Sequence, residues 1–191
     1  KAYSRLATAY TPLTKGMGSE FCNQNAYDCI QVHGGSGFMK DYACERIYRD
    51  ARITSIYEGT TQLQVVAAIG NVTKGVYADQ MKVYAAEEVS EAMKPLQARV
   101  NAMAEQYRDI VSKIDTANKD YFDLQSRRLV EIAGHTIMAY LLVNDASKAH
   151  ELFADSAKVY VNYAEGEVAK NMSMLKNVVA DDLAAYGVKQ N

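Results

Sequence analysis

The sequence predicts an all-α protein, in which one helical bundle is followed by an antiparallel three-helix bundle. Helix-forming residues run almost from end to end, and only segments 31–38 and 53–60 are rich in glycine or in β-branched residues. From Val89 to Ile110, apolar side chains recur at spacings of three and four, as they do along a helix that faces a core. The 191 residues, 49% of them hydrophobic, can form one core or two small ones. We therefore expect two domains, residues 1–75 and 76–191.

The first half should contain several helices separated by proline and glycine. Pro12 lacks a backbone N–H and clashes with the preceding turn, so it is expected to end or kink the first helix. Gly34 is expected to end the second helix. Gly59 is expected to interrupt the helical structure just before Thr60, which is a good N-cap for the next helix. The predicted helices span residues 1–10, 13–33, 43–51 and 61–78.

The second half should contain three long helices with short connections. Pro95 lies within the apolar seam without disturbing its spacing, so it is interpreted as a kink in one helix; a break into two helices is the alternative. The polar segment 113–120 is typical of a connection. The next helix, 118–149, is apolar around most of its middle, residues 129–143, and should be the most buried element. A last helix is predicted over 152–186.

Composition and charge argue against several kinds of partner. Lys and Arg number 21 against 23 Asp and Glu, a net charge of -2, so no broad basic surface is available for nucleic acid or anionic lipid. The longest apolar runs, such as 137–143, are too short to cross a bilayer, and a cytoplasmic protein is expected. Cys22, Cys29 and Cys44 have neither CxxC nor CxxH spacing, so we interpret them as reduced packing residues, with no metal site.

The chain starts inside a helical pattern. Its first residue is Lys1, and no N-cap precedes the helix formers that follow. We therefore expect that the chain is cut from the middle of a longer protein; a mature N-terminus is the alternative.

The two irregular segments carry the candidate functional residues. Glu58 precedes Gly59 and an N-cap, so its carboxylate should sit on a bend where it could act as a base; a solvated surface glutamate is the alternative. The segment "QVHGGSGF", 31–38, could bring bare backbone against a phosphate or a flat cofactor, or could simply be a helix C-cap and a turn. His33 could equally be a packing residue.

Together these segments resemble a known family. The stretch from Gln31 to Gln64, "QVHGGSGFMKDYACERIYRDARITSIYEGTTQLQ", is similar to the C-terminal helical domain of the flavin-dependent acyl-CoA dehydrogenases. That family carries Q-V-H-G-G-x-G, then E-R-x-x-R-D-A, then I-Y-E-G-T-x-x-x-Q. The resemblance covers roughly residues 1–75. The remainder resembles, more loosely, an extra C-terminal helical domain of some members. Val65 departs from the family pattern, since many members have arginine after the second glutamine.

The resemblance implies a role for each motif. Glu58 would be the catalytic base that removes the α-proton of an acyl-CoA while the β-hydrogen leaves as hydride to FAD, giving a trans-2-enoyl-CoA. Gly59 would lie against the substrate, and three residues at the helix start would touch FAD: Thr60, Thr61 and Gln62. Five residues would contact the FAD of a neighbouring subunit: Gln31, Val32, His33, Gly34 and Gly35.

The resemblance also implies partners and a setting. Family members act on acyl-CoA in fatty acid β-oxidation, assemble as homodimers or homotetramers, and usually pass electrons to an electron-transferring flavoprotein. An acyl-CoA oxidase, which passes electrons to oxygen, shares the fold and is one alternative. A helical interaction module without catalysis is another. This chain alone should be inactive, because it would carry the base without the rest of the active site.

Overall fold

The computed structural model describes residues 2–149 and 151–187, and within these ranges all regular secondary structure is helical. This confirms the all-α prediction. None of the described helices combines the length and apolarity that crossing a membrane requires. The elements are α1 Ala2–His33, α2 Gly35–Phe38, α3 Ala43–Thr54, α4 Thr61–Thr73, α5 Val76–Ala85, α6 Lys94–Lys113, α7 Lys119–Ala149, α8 Glu151–Asn177 and a 3₁₀ helix, Ala180–Tyr186.

The chain divides into two compact units. The first extends to Ala68 and the second begins at Ile69, so the division falls within α4. The domain ranges 1–75 and 76–191 stay a prediction. Lys1, His150 and residues 188–191, which those ranges include, lie outside the described residues.

In the first unit, α1 is one helix of 32 residues that contains Pro12, so the predicted division into helices 1–10 and 13–33 is wrong. Packing explains the continuity. Pro12 and Leu13 are buried and Ala9 is fully buried, so the burial of this turn offsets the hydrogen bond that proline cannot make.

The end of α1 was predicted correctly. The helix stops at His33, and Gly34 follows with φ of 59°, in the region that glycine enters without a steric penalty. After the single turn of α2, α3 begins at Ala43 as predicted and runs to Thr54, three residues beyond the predicted end. It packs along α1, where the rings of Tyr27 and Tyr48 lie 6.4 Å apart.

The start of α4 was also predicted correctly, but its end was not. The hydroxyl of Thr60 accepts a hydrogen bond from the N–H of Leu63, 3.4 Å away, as an N-cap does. The helix ends at Thr73 rather than near residue 78, because Gly75 takes a left-handed conformation with φ of 72° and α5 begins at the next residue.

The second unit shows that the seam from Val89 to Ile110 is not one helix. Helix α6 begins at Lys94 and places Pro95 in its first turn, where a missing N–H is tolerated, so the interpretation as a kink is wrong. Val89 and Met93 precede α6 and are nevertheless buried. The regular spacing therefore reflected a common core rather than a continuous helix.

The three predicted long helices, α6, α7 and α8, are present and successive helices are antiparallel. The hydroxyl of Tyr140 on α7 donates to Asn101 on α6, at 2.7 Å, and Tyr121 near the start of α7 donates to the carbonyl of Val178 just after α8, at 2.9 Å. Helix α5 is an additional element that packs on α7. The middle of α7 is deeply buried, as predicted, with Leu129, Ile132, Ala133 and Ala139 fully excluded from solvent.

The final predicted helix, 152–186, is divided in the structure. Helix α8 ends at Asn177, and a separate 3₁₀ helix follows. The carboxylate of Asp182 accepts a hydrogen bond from the N–H of Val179 at 2.9 Å, and buried Leu183 anchors this segment. A local cap therefore starts a new element where the apolar periodicity alone suggested continuity.

Candidate functional site

The bend between α3 and α4 has an unusual backbone. Glu58 has φ of 54° and Gly59 has φ of 94°. Among the described residues, Glu58 is the only non-glycine residue with a positive φ. A left-handed conformation costs a residue with a side chain about 1–2 kcal/mol, so the surrounding structure must impose it. The side chain of Glu58 is exposed.

Two side chains hold this bend through its carbonyl groups. Lys15 on α1 donates from Nζ to the carbonyl oxygen of Gly59, 2.6 Å away. Gln64 on α4 donates from Nε2 to the carbonyl oxygens of Glu58 and Gly59, at 3.1 and 3.3 Å. A Cβ on Gly59 would lie 2.8 Å from the same Nε2, so a side chain there would displace the Gln64 amide from the bend, and the φ of 94° itself favours glycine.

The bend leaves the functional groups of Glu58 unoccupied within the described part of the chain. Its carbonyl is bound by Gln64, but neither its carboxylate nor its backbone N–H has a hydrogen-bond partner there. The carboxylate is therefore placed on a constrained turn, able to accept a proton from a ligand. The N–H beside it is able to donate to one.

A cleft of about 460 Å³ lies beside the bend at the N-terminus of α4. Thr61 donates from its hydroxyl to the carboxylate of Glu20 at 2.7 Å, and Arg52 donates to the hydroxyl of Ser55 at 2.6 Å. A helix N-terminus with hydroxyl groups and a nearby guanidinium favours the phosphate groups of a dinucleotide, whereas the Glu20 carboxylate, which lines the same cleft and already accepts the Thr61 hydroxyl proton, opposes them. The lining residues are Glu20, Asn23, Arg52, Ser55, Ile56, Thr60, Thr61 and Gln62.

The residues predicted to contact the FAD of a neighbouring subunit lie at the end of α1. All five are exposed, and Val32 is 85% exposed. One glycine of this segment is required by packing within the chain itself, whether or not a ligand binds. It is Gly37, which nothing in the sequence pattern distinguished from its neighbours. A Cβ there would lie 2.7 Å from the carbonyl oxygen of Ile30, whereas a Cβ at Gly35 would meet nothing within 4 Å. The exposed residues are Gln31, Val32, His33, Gly34 and Gly35.

The structure does not bring the two predicted groups together. Thr61 contacts α1 at Glu20, and Gly34 follows 14 residues further along that helix. With a rise of 1.5 Å per residue, the two groups lie roughly 20 Å apart. Within one chain they do not line one pocket.

Sequence reasoning missed the groups that fix the bend. Lys15 lies 44 residues from Gly59 in sequence, and no local pattern marks a helical lysine as its partner. Gln64 was noted only as part of a motif. Its proximity to the bend, five and six residues away, was the one available indication.

Two further motif residues have structural explanations. Glu45 and Arg49 form a bidentate ion pair at 2.8 and 3.3 Å across one turn of α3, and the arginine lowers the pKa of the Glu45 carboxyl through this hydrogen bond. Val65, where many acyl-CoA dehydrogenases have arginine, is 4% exposed and part of the core of the first unit. An apolar side chain suits that position.

Comparison with known proteins agrees with the motif resemblance. Residues 3–71 match the family model described as "Acyl-CoA dehydrogenase, C-terminal domain", and residues 73–183 match the model "Acyl-CoA dehydrogenase C terminal". The caffeyl-CoA reductase-Etf complex subunit CarC of Acetobacterium woodii is 43% identical over 68 residues, which are 36% of this chain and 18% of that protein. The mitochondrial long-chain specific acyl-CoA dehydrogenase of Sus scrofa is 46% identical over 59 residues, 31% of this chain and 14% of that protein.

A solved structure extends the likeness to most of the fold. The acyl-CoA dehydrogenase of Bacillus anthracis, complexed with FAD, superimposes with a TM-score of 0.69 at 22% identity, covering 92% of this chain and 34% of that one. The present chain matches less than a fifth of the length of the two curated relatives above. Two consecutive family models together match almost the whole sequence, and the chain therefore belongs to the acyl-CoA dehydrogenase family, of which it represents the C-terminal helical part.

Proposed function

We propose that this chain supplies the catalytic base of an FAD-dependent acyl-CoA dehydrogenase, which converts an acyl-CoA to a trans-2-enoyl-CoA. The observation that carries the proposal is the backbone of Glu58, held at φ of 54° with its carbonyl bound and its carboxylate unpaired among the described residues. A general base needs this combination of fixed position and an available carboxylate.

In this proposal each group on the bend has one task. The Glu58 carboxylate accepts the proton from the substrate α-carbon. Its backbone N–H donates to the thioester carbonyl and so stabilises the enolate charge that develops there. Gly59 lets the thioester approach the backbone closely. When bound, FAD would accept the hydride that leaves the β-carbon.

The remaining proposed contacts are to FAD. Thr60, Thr61 and Gln62 offer hydroxyl, amide and helix N-terminal groups beside the cleft, as a phosphate-bearing cofactor requires. The exposed residues from Gln31 to Gly35 would contact the FAD of a neighbouring subunit. As in the family, the two groups would then contact two different flavins, which requires a homodimer or homotetramer; their separation of roughly 20 Å within one chain agrees with this arrangement.

The names of the relatives support an electron-transfer partner and a second candidate function. One relative is a subunit of a caffeyl-CoA reductase-Etf complex, which favours an electron-transferring flavoprotein as partner. The same name favours the reverse reaction, reduction of a 2-enoyl-CoA, in which Glu58 would return the proton to the α-carbon. A place in fatty acid β-oxidation, use of oxygen as acceptor, a non-catalytic module and a cytoplasmic location stay predictions.

The test is an assay of the full-length protein that contains this chain. Acyl-CoAs of graded length are supplied with a dye acceptor, with electron-transferring flavoprotein or with oxygen, and 2-enoyl-CoAs with a reduced donor. Glu58→Gln preserves side-chain volume but cannot accept the proton, so turnover should fall by roughly 10²- to 10⁴-fold with FAD content unchanged. Glu88→Gln, at an exposed glutamate outside the bend, is the matched control. Turnover by Glu58→Gln at the rate of that control would reject Glu58 as the base.

A further inference from the structure

Two cysteines and one histidine of the first unit come together at the junction of α1 and α3. Ligand atoms of Cys29, His33 and Cys44 all lie within 4.8 Å of one another. Cys29 and His33 are one turn apart on α1, and Cys44 is the second residue of α3. Cys29 and Cys44 are too far apart in sequence for a spacing motif, which is why they were interpreted as separate packing residues. We propose that these three side chains form a binding site for Zn²⁺.

The chain path explains how the third ligand arrives. The turn after α1 folds back closely, because Gly37 has no Cβ to meet the carbonyl oxygen of Ile30. The thiol of Cys44 then donates to the carbonyl oxygen of Gly37, 3.4 Å away. A backbone fixed by this close approach therefore positions the Cys44 sulfur beside the last turn of α1.

The distances suit tetrahedral coordination. Zinc binds thiolate sulfur at about 2.3 Å and imidazole nitrogen at about 2.0–2.1 Å, so two ligand atoms of a tetrahedral site lie roughly 3.5–3.8 Å apart. Cys29 Sγ and His33 Nδ1 are 3.9 Å apart before any ion is considered. The other separations, at most 4.8 Å, need a closure of about 1 Å. Rotation about the side-chain bonds can bring the ligand atoms this much closer while the helices stay in place.

The protonation changes that binding requires are tolerable here. His33 Nδ1 lies 2.8 Å from the carbonyl oxygen of Cys29, and coordination through Nδ1 would replace that contact. The carbonyl of Cys29 keeps its helical hydrogen bond from the backbone N–H four residues later, so it is not left without a donor. Both thiols lose their protons on binding, so Cys44 exchanges its hydrogen bond to the Gly37 carbonyl for the bond to the metal, and the two thiolates neutralise the charge of one Zn²⁺. A neutral complex suits a place where Cys44 is buried and Cys29 is half-buried.

The site has three protein ligands, so its fourth position is open. His33 is exposed, and a water molecule or an added thiol could complete the coordination from its side. The ion would link α1 to α3 just where the exposed Gln31–Gly35 stretch begins. This inference does not depend on the proposed dehydrogenation. Cys29 and Cys44 have no part in the catalytic proposal, and His33, which is also proposed to contact FAD, is tested here with metal ions alone.

The site can be tested with metal ions alone. The metal-free chain, held reduced by a phosphine, is titrated with Co²⁺, whose thiolate-to-metal absorption and visible bands report sulfur ligation and tetrahedral geometry, and Zn²⁺ is then added to displace it. We expect one ion per chain. Cys29→Ser and His33→Gln should each lower Zn²⁺ affinity by about 100-fold or more, exceeding the effect of losing an outer-shell partner.

Control variants make the result decisive. Cys22→Ser removes an exposed thiol outside the cluster and should bind as wild type does. Circular dichroism on each variant shows whether the helices are retained. Cys44→Ser should also weaken binding, but Cys44 is buried and this change could unfold the first unit. Cys29→Ser, at a half-buried position, is expected to keep the fold and is therefore the main test. Absence of the thiolate absorption in the wild type, or equal affinity in Cys29→Ser and Cys22→Ser, would overturn the proposal.

Discussion

Lys15, in the middle of α1, donates a hydrogen bond to the carbonyl oxygen of Gly59, 2.6 Å away, and thereby fixes the backbone that carries Glu58. Gln64 reaches the same oxygen from α4 at 3.3 Å. The bend is thus held by two elements that are distant in sequence. Neither side chain belongs to the group assigned to substrate or FAD, so both are positioning residues in the proposed mechanism.

Lys15→Met should therefore reduce catalysis without removing the cofactor. The methionine keeps the aliphatic stem but loses a charged donor, and such hydrogen bonds contribute about 1.5–3 kcal/mol, so kcat of the full-length enzyme should fall roughly tenfold or more. KM and FAD content should change little. Lys15→Arg should restore part of the rate, while Lys74→Met, at an exposed lysine, serves as the control. Equal kcat values in the two methionine variants would contradict this role.

Gly37→Ala should destabilise the first unit, because the added Cβ would lie 2.7 Å from the Ile30 carbonyl oxygen and 2.9 Å from the His33 Cβ. Overpacking of this kind typically costs about 1–3 kcal/mol. Gly35→Ala is the matched control, since its Cβ would meet nothing within 4 Å. Urea unfolding followed by circular dichroism should give a lower midpoint for Gly37→Ala only. Identical midpoints for both variants would mean that the turn can relax.

The second unit should lose stability in mild acid through His135. Burial lowers the pKa of this histidine below its ordinary value of 6.5, although Glu167 and Glu131 oppose the shift. Its Nδ1 lies 3.0 Å from the hydroxyl of Tyr160. Because the folded state binds the proton less readily than the unfolded state, stability is complete above pH 6.5 and falls below it, by up to about 1.4 kcal/mol per pH unit.

The measurement compares unfolding free energies at pH 7.5 and 5.5 for wild type and His135→Phe. Phenylalanine keeps an aromatic ring beside Tyr163 but cannot titrate. The variant is expected to be less dependent on pH over this interval, whatever its absolute stability. The same pH slope in both proteins would exclude His135 as the source.

Expressed alone, the 191-residue chain should fold into stable helices and purify colourless and inactive. The second unit has its own core, with Tyr107, Leu129 and Val161 fully buried. The residues proposed to contact FAD lie on exposed or half-exposed surface, so their few interactions would hardly exceed the several kcal/mol of freedom lost on association. Stoichiometric FAD absorbance in the purified chain would contradict this expectation.

The same preparation should show self-association. Tyr27 and Ile56 of the first unit are 48% and 44% exposed, and in the full-length protein we expect the domains outside this chain to cover them. Light scattering should therefore report a mass above that of a monomer, and Tyr27→Ser with Ile56→Ser should lower it. A monomeric wild-type chain at micromolar concentration would show that these side chains remain in water.

Local chemistry explains what could be predicted from the sequence. The end of α1 at Gly34 and the N-cap at Thr60 depend on residues next to them in the chain, and both were predicted correctly. The bend at Glu58 follows from its position between a helix end and an N-cap. These features need no knowledge of distant partners.

Features that depend on tertiary contacts were predicted poorly. Pro12 and Pro95 have the same intrinsic effect, yet Pro12 is accommodated at a buried turn in the middle of α1, whereas Pro95 lies in the first turn of α6. Periodicity cannot distinguish these cases, since the apolar spacing continued through Pro95 in the sequence. The meeting of Cys29 with Cys44, and of Lys15 with Gly59, likewise arises from packing between helices.

The left-handed backbone at Glu58 has a consequence for how this position should change under selection. Glycine or asparagine would adopt φ of 54° more readily than glutamate does. A library randomised at residue 58 and selected only for thermal resistance should therefore become enriched in those two residues. Selection for turnover should return glutamate. The position would then be one at which folding and chemistry favour different amino acids, and genes released from the catalytic requirement should drift away from glutamate early.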